Sequence, residues 1–161
     1  MSTPPADPAP ARSPGQSLPD AEHHRRLERL YASAPITQWF GTRLEVGDGE
    51  AEVRLAARPE FLHAAHAVHG SIYFRMLDDA AFFAANSRVR EVFVLTVSFT
   101  LQFARPVAAG ELRARGRVRH AGGRLTLADS ELFDAEGRLL AHGSGVFTRS
   151  TIPLDERVGY V

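Results

Sequence analysis

The chain contains no cysteine. Disulfides, thiolate metal sites and a cysteine nucleophile are thereby excluded. The absence fits a cytoplasmic setting, where disulfides are rare. Charge of one sign is missing too, since 19 Lys and Arg balance 19 Asp and Glu. The basic footprint of a general nucleic-acid binder is therefore not present. No apolar run approaches the roughly 18 residues that span a bilayer, so no membrane partner is expected. Residues 1–19 lack the apolar centre of a secretion signal. They hold six of the ten prolines instead (Pro4, Pro5, Pro8, Pro10, Pro14 and Pro19). Such a segment buries too little surface to offset its ordering entropy, and a disordered tail is expected there. There is no internal repeat and no boundary inside 20–150, so one domain is expected.

What is present begins with a helix over 20–34, capped by Asp20, with Leu27, Leu30, Tyr31 and Ala34 on one face. Pro35 ends it or opens a short turn carrying Trp39 and Phe40. Leu44 and Val46, then Ala51, Val53 and Leu55, alternate with polar residues around Gly47-Asp48-Gly49, which reads as a hairpin. A histidine-rich loop leads to SIYFRMLDDAAFFAANSR, a helix expected over 70–88. It is apolar on nearly every side, which predicts a central helix buried all round. Val92–Phe103 alternates strictly, with Leu95, Val97, Phe99, Leu101 and Phe103 on one face. Three further strands follow as a meander, and no element is assigned to 151–161. An α+β domain with one antiparallel sheet around one helix fits this order.

Three groups of residues can carry chemistry. His69-Gly70-Ser71 opens the core helix, where unpaired N–H groups and the helix dipole favour negative charge. The chemical reading is an oxyanion hole at Gly70; the plain reading is a tight turn. Asp78 and Asp79 lie inside the same helix, where a carboxylate is costly unless paired or used. Arg75 lies one helical turn before both and can pair with either. A structural ion pair suits Asp79, and a functional role is expected for at least one of the two. Gly70 and Asp78 are eight residues apart, about 12 Å of helix rise. The two can meet at one substrate atom only if they come from different chains, as antiparallel helices in a twofold dimer.

His63, His66 and His69 are spaced by three residues, which suggests a metal site, but the pattern matches no common zinc spacing. Loop histidines, one of them touching substrate, are the plainer reading, with no metal and no cofactor. Arg113, Arg115, Arg117 and Arg119 form one face of a strand, ordinarily a solvated one, with phosphate contact as the alternative. Phe74, Phe82 and Phe83 read as core, with some lining a pocket.

The stretches HAVHGSIYFRMLDDAAFFAAN, TVSFTLQFARPVAAGELRARGRV and GSGVFTRS together resemble the PaaI-like branch of the hotdog thioesterases, over roughly residues 40–149. That family has a long helix wrapped by an antiparallel sheet of about five to six strands. Its pattern is a His-Gly(-Gly) opening the helix, an aspartate eight residues after the first glycine, and a strand ending in Arg-Pro-x-x-x-Gly, here Arg105-Pro106 to Gly110. The resemblance implies an acyl-CoA thioesterase, with acyl-CoA as partner and a dimer, or a dimer of dimers, as the working unit. It implies that the Gly70 N–H polarises the thioester carbonyl and that Asp78, not Asp79, of the partner chain is nucleophile or general base. His69 precedes the glycine, and Thr96 falls where relatives place a hydroxyl near the attacking water. His63, Ser71, Phe82 and Arg105 are candidate substrate contacts. Ser71 replaces the second glycine, His63 an asparagine common in relatives, and His66 a glycine. Those departures keep a second reading open, a non-catalytic acyl-CoA-binding hotdog protein. No loop motif of a hydratase or dehydratase is found.

Overall fold

The computed structural model describes residues 20–161; the Pro-rich segment 1–19 lies outside the described residues. Asp20–Ser33 forms α1 and Pro35–Phe40 forms α2, ended by Gly41 at a φ of 72°. The hairpin is β1 (Arg43–Gly47) and β2 (Glu50–Ala56), with Leu44 opposite Val53. The core helix α3 spans Gly70–Asn86. Strands β3 (Val92–Phe103), β4 (Glu111–Ala121), β5 (Leu125–Phe133) and β6 (Leu139–Pro153) complete one antiparallel sheet ordered β1-β2-β4-β5-β6-β3.

The sheet wraps α3 because its inner face is small where the helix comes closest. Ala114 and Ala128 are fully buried, and a Cβ at Gly116 would lie 2.1 Å from the Ala80 carbonyl oxygen. A backbone carbonyl cannot yield to such an overlap, so β4 must carry glycine there. From the helix side Met76, Leu77, Ala80, Ala81, Ala84 and Ala85 have no exposure. The helix stops at Asn86, two residues before the expected end. The Ser87 hydroxyl turns back to the Ala84 carbonyl, and the Asn86 side chain leaves the helix pattern. Its amide donates to the carbonyls of Val89 and Val92 and accepts from the Val94 N–H.

Three expectations change. First, α3 is not buried all round within one chain. Ser71, Phe74 and Asp78, spaced three and four apart, form a stripe that its own sheet leaves partly open, with Phe74 41% exposed. Second, β3 does not alternate strictly. A bulge between Thr96 and Ser98 reverses the faces. Val94 and Thr96 point at the helix before it, and Phe99 and Phe103 after it, while Leu95 and Val97 are 44% and 59% exposed. Third, 151–161 is not without structure. β6 runs to Pro153, a 3₁₀ turn covers Glu156–Val158, and buried Tyr160 donates its hydroxyl proton to His23 Nδ1 at 2.6 Å. The His23 Nε2–H then donates to the Asn86 carbonyl, so the tail seals α1 against the end of α3. No described helix is long and apolar enough to cross a membrane.

Candidate active site

The residues singled out in the sequence fall into two separate places. His63, His69, Gly70, Ser71 and Arg105 line a concavity of about 740 Å³ together with Tyr73, Phe103 and Pro106. Asp78, Thr96 and Phe82 line another of about 280 Å³, walled by Tyr31, Ile36, Phe83, Phe93 and Leu95.

The first half is built by the start of α3. His69 is the N-cap residue, at φ −64° and ψ 141°, and its Nδ1 accepts the Ser71 N–H at 3.1 Å. A backbone N–H can only donate, so Nδ1 is unprotonated and the neutral ring carries its proton on Nε2. The Ser71 hydroxyl also lies 2.8 Å from Nδ1. The His69 carbonyl accepts from the Ile72 N–H. Two of the orphan amides of the helix start are thus satisfied, and among the described residues no acceptor is assigned to the Gly70 N–H. The ring of Phe103 lies 2.9 Å from where a Gly70 Cβ would stand. Any side chain at Gly70 would push that ring into the concavity. Arg105 follows on the loop after β3, its backbone tied to Leu140 and its carbonyl accepting from the Tyr73 hydroxyl.

The second half sits mid-helix. Asp79 is committed to structure, as expected. It takes a hydrogen bond from the Tyr31 hydroxyl at 2.8 Å and pairs with Arg75 at 3.4 Å. Arg75 in turn donates to Thr37 and lies 4.5 Å from the Phe40 ring centroid. Burial still pushes the Asp79 carboxyl up to about 6, against the pull of Arg75 and Tyr31. Asp78 has a different environment. Its Oδ1 accepts from the Thr96 hydroxyl at 3.0 Å, and among the described residues no cation pairs with it. Burial raises its pKa above that of a free aspartate, and the Thr96 hydrogen bond pulls partly the other way. Phe82 packs edge-on to Phe83 and against Phe93, closing the apolar side.

The other sequence candidates resolve simply. His63, His66 and His69 do not converge, and no three His, Asp or Glu side chains among the described residues are grouped to hold a metal ion. Three of the four β4 arginines form exposed cross-strand pairs, Arg115 with Glu52, Arg117 with Glu50 and Arg119 with Asp129, while Arg113 is half-buried and its Nε has no partner among the described residues. That is the solvated face. Phe103, Tyr31, Ile36 and Phe93 were not legible as site residues, because each reaches its half-site from another element with no local motif to mark it.

Comparison with known proteins agrees with this architecture. The sequence model of the thioesterase superfamily matches residues 65–141, from the histidine loop into β6. The PaaI protein of the E. coli phenylacetic acid degradation operon superposes with a TM-score of 0.77 at 22% identity, over 83% of this chain and 97% of that one. The chain has the hotdog fold. A variant of the phenylacetic acid degradation protein PaaI from Thermus thermophilus matches this hotdog domain at 25% identity and a TM-score of 0.67, over 73% of this chain and 100% of that one. A conserved protein of Pseudomonas aeruginosa matches at 28% identity and 0.71, over 76% and 98%. No curated protein matches the chain. The PaaI-like resemblance read from the sequence is borne out by these neighbours.

Proposed function

We propose that this hotdog domain is an acyl-CoA thioesterase whose active site is completed between two copies of the chain. The observation that carries the reading is the contrast inside Asp78-Asp79. One carboxyl is consumed by Arg75 and Tyr31, and the other, partly open on the helix's uncovered stripe, is held only by a neutral hydroxyl. A carboxylate kept without a counterion is poised to take a proton. The Thr96 hydroxyl occupies Oδ1 and leaves Oδ2 for water. The substrate carbonyl oxygen accepts from the Gly70 N–H of the other copy, at the positive end of its helix. Asp78 removes a proton from water as the water attacks the carbonyl carbon. The oxyanion collapses, the thiolate of coenzyme A leaves with a proton, and the carboxylic acid is released. Direct attack by Oδ2 uses the same two half-sites. His69 holds the helix start by its cap, Ser71 and Arg105 line the entry, and Phe82 lines the acyl side.

This reading calls for a second copy, and the surface supports one. Strand β3 is an edge of the sheet, twelve residues long and apolar, with Val97 and Phe103 59% and 60% exposed. Edges of that length and composition pair with another strand. The open stripe Ser71, Phe74, Asp78 lies beside it. The test is thiol release from short-chain, medium-chain and aryl-acetyl CoA thioesters. Asp78→Asn is expected to lower kcat at least 100-fold with the dimer intact. Equal turnover by the variant would refute the assignment. Tight binding without release by the native protein would favour the non-catalytic alternative.

A further inference from the structure

The C-terminal segment builds a further concavity that the hydrolytic scheme leaves unused. It measures about 540 Å³ and lies between the end of α1 and the 3₁₀ turn Glu156–Val158, lined by Leu30, Pro35, Phe93, Ile152 and Val158 among others. Its outer wall is fastened. The Leu154 N–H donates to the Glu91 carbonyl at 3.1 Å, and the Tyr160 hydroxyl is held by His23. Gly159, at a φ of 79°, lies so close to α1 that any side chain there would strike Ser33. Arg157 at the lip is already paired with Asp155.

This groove adjoins the concavity that contains Asp78. Leu30, Ala34 and Phe93 line both. Ala34 has the smallest side chain of the three, and it stands at the joint between α1 and α2, where its carbonyl accepts from the Thr37 and Gln38 N–H groups. Around the junction Ile36, Leu95 and Ile152 are 56%, 44% and 41% exposed. They come from α2, β3 and β6, and exposed apolar side chains gathered at one place mark a binding groove.

We propose that the two concavities form one acyl channel, that the substrates are thioesters of long unbranched fatty acids, and that Ala34 is the specificity-determining residue that admits the chain to the second part. A cavity of about 150 Å³ suffices for a benzene ring, so the 280 Å³ beside Asp78 already takes an aryl or short acyl group. The further 540 Å³ serves a chain that outgrows it. The proposal rests on the thioesterase reading and deepens it: Asp78 marks the carbonyl end of the channel, and the terminal methyl lies beside the C-terminal turn.

The test is kcat/KM for butanoyl-, octanoyl-, dodecanoyl- and phenylacetyl-CoA, with the native protein, Ala34→Phe and Asp78→Asn. A fully buried methylene contributes about fourfold, and half of that free energy, roughly twofold, is expected in a groove open on one side. The native value should therefore rise at least ~100-fold from butanoyl to dodecanoyl and exceed that for phenylacetyl. Ala34→Phe keeps the extended backbone that precedes Pro35 and places a ring at the junction. Its dodecanoyl-to-butanoyl ratio should fall at least ~30-fold, chiefly through KM. A native preference for butanoyl or phenylacetyl, or an unchanged ratio in folded Ala34→Phe, overturns the channel. If thioesters are hydrolysed in that experiment and Asp78→Asn is inactive on them, the thioesterase reading stands and only the channel falls; if the native protein hydrolyses none, or Asp78→Asn is fully active, the reading itself falls. A second measurement needs no variant. The native protein is irradiated with a dodecanoyl-CoA ketone analogue, in which methylene replaces the thioester sulfur and a diazirine stands at the far end of the chain. Label should appear in residues 30–36 or 152–159. Label confined to other segments contradicts the proposal.

Discussion

Asp78 and Asp79 are adjacent in the chain, yet the fold gives one a cation and a phenol and the other a threonine hydroxyl. The consequences differ, although burial raises both carboxyls. Burial raises the Asp78 pKa, and Thr96 is the partner that lowers it. A base acts as the carboxylate, so activity is lost as pH falls through the raised pKa. Thr96→Val removes the lowering hydrogen bond, and the acid limb of the kcat profile should move to higher pH than in the native protein. A pH profile over the acidic range measures this; an unmoved or downward-shifted limb contradicts it. Arg75→Met strips Asp79 of its ion pair. That should destabilise the fold by about 2–3 kcal/mol, at the low end for a buried pair because both side chains keep some exposure, as read by urea denaturation. At this scale the sequence was informative about which residue types could react. Arg75 lies one turn before each aspartate, so spacing alone left the pairing open. The deciding contacts, Tyr31 to Asp79 and Thr96 to Asp78, come from elements 48 and 18 residues away.

At the scale of elements, α3 lies close against the sheet because β4 offers no side chain at Gly116. Gly116→Ala forces a methyl onto the Ala80 carbonyl, and the helix or the strand must move. A loss of about 3 kcal/mol is expected, at the upper end for overpacking a core, measured by the same denaturation; a cost below ~1 kcal/mol would show that the helix has room to shift. The histidine loop gives the opposite case. His66 holds a φ of 61°, a conformation that glycine adopts without penalty and histidine only tolerates. His66→Gly should leave stability unchanged or raise it by up to ~1 kcal/mol. Periodicity located every strand and both long helices to within a few residues, since burial on one face is a local signal. It failed at the β3 bulge, because one inserted residue reverses every later side chain. It failed again at the end of α3, where the Asn86 side chain exchanges helix for strand bonds.

For the whole molecule, the proposed chemistry calls for two chains. Gly70 with its imidazoles and Asp78 with Thr96 occupy different concavities, and about 12 Å of helix rise separates the two ends of the motif. The exposed edge β3 and the open stripe of α3 support the proposal that a second copy brings one chain's Gly70 to the other's Asp78. Phe74→Glu, which puts a charge on that stripe, should yield monomers in sedimentation and abolish turnover while Asp78 and Gly70 remain native. Complementation measures the arrangement most directly. Asp78→Asn removes the base. Gly70→Pro removes the amide donor at the first helical position, after a His69 already in the extended conformation that precedes proline, and its Cβ displaces Phe103 within the same concavity, so the variant disables that half-site alone. Each variant alone should be inactive. Unfolded and refolded together in equal amounts, they should recover about a quarter of native activity, because half the dimers are mixed and each mixed dimer holds one intact site. A mixture no more active than its two parents, with mixed dimers shown to form, would place both groups in one chain's site and contradict the account.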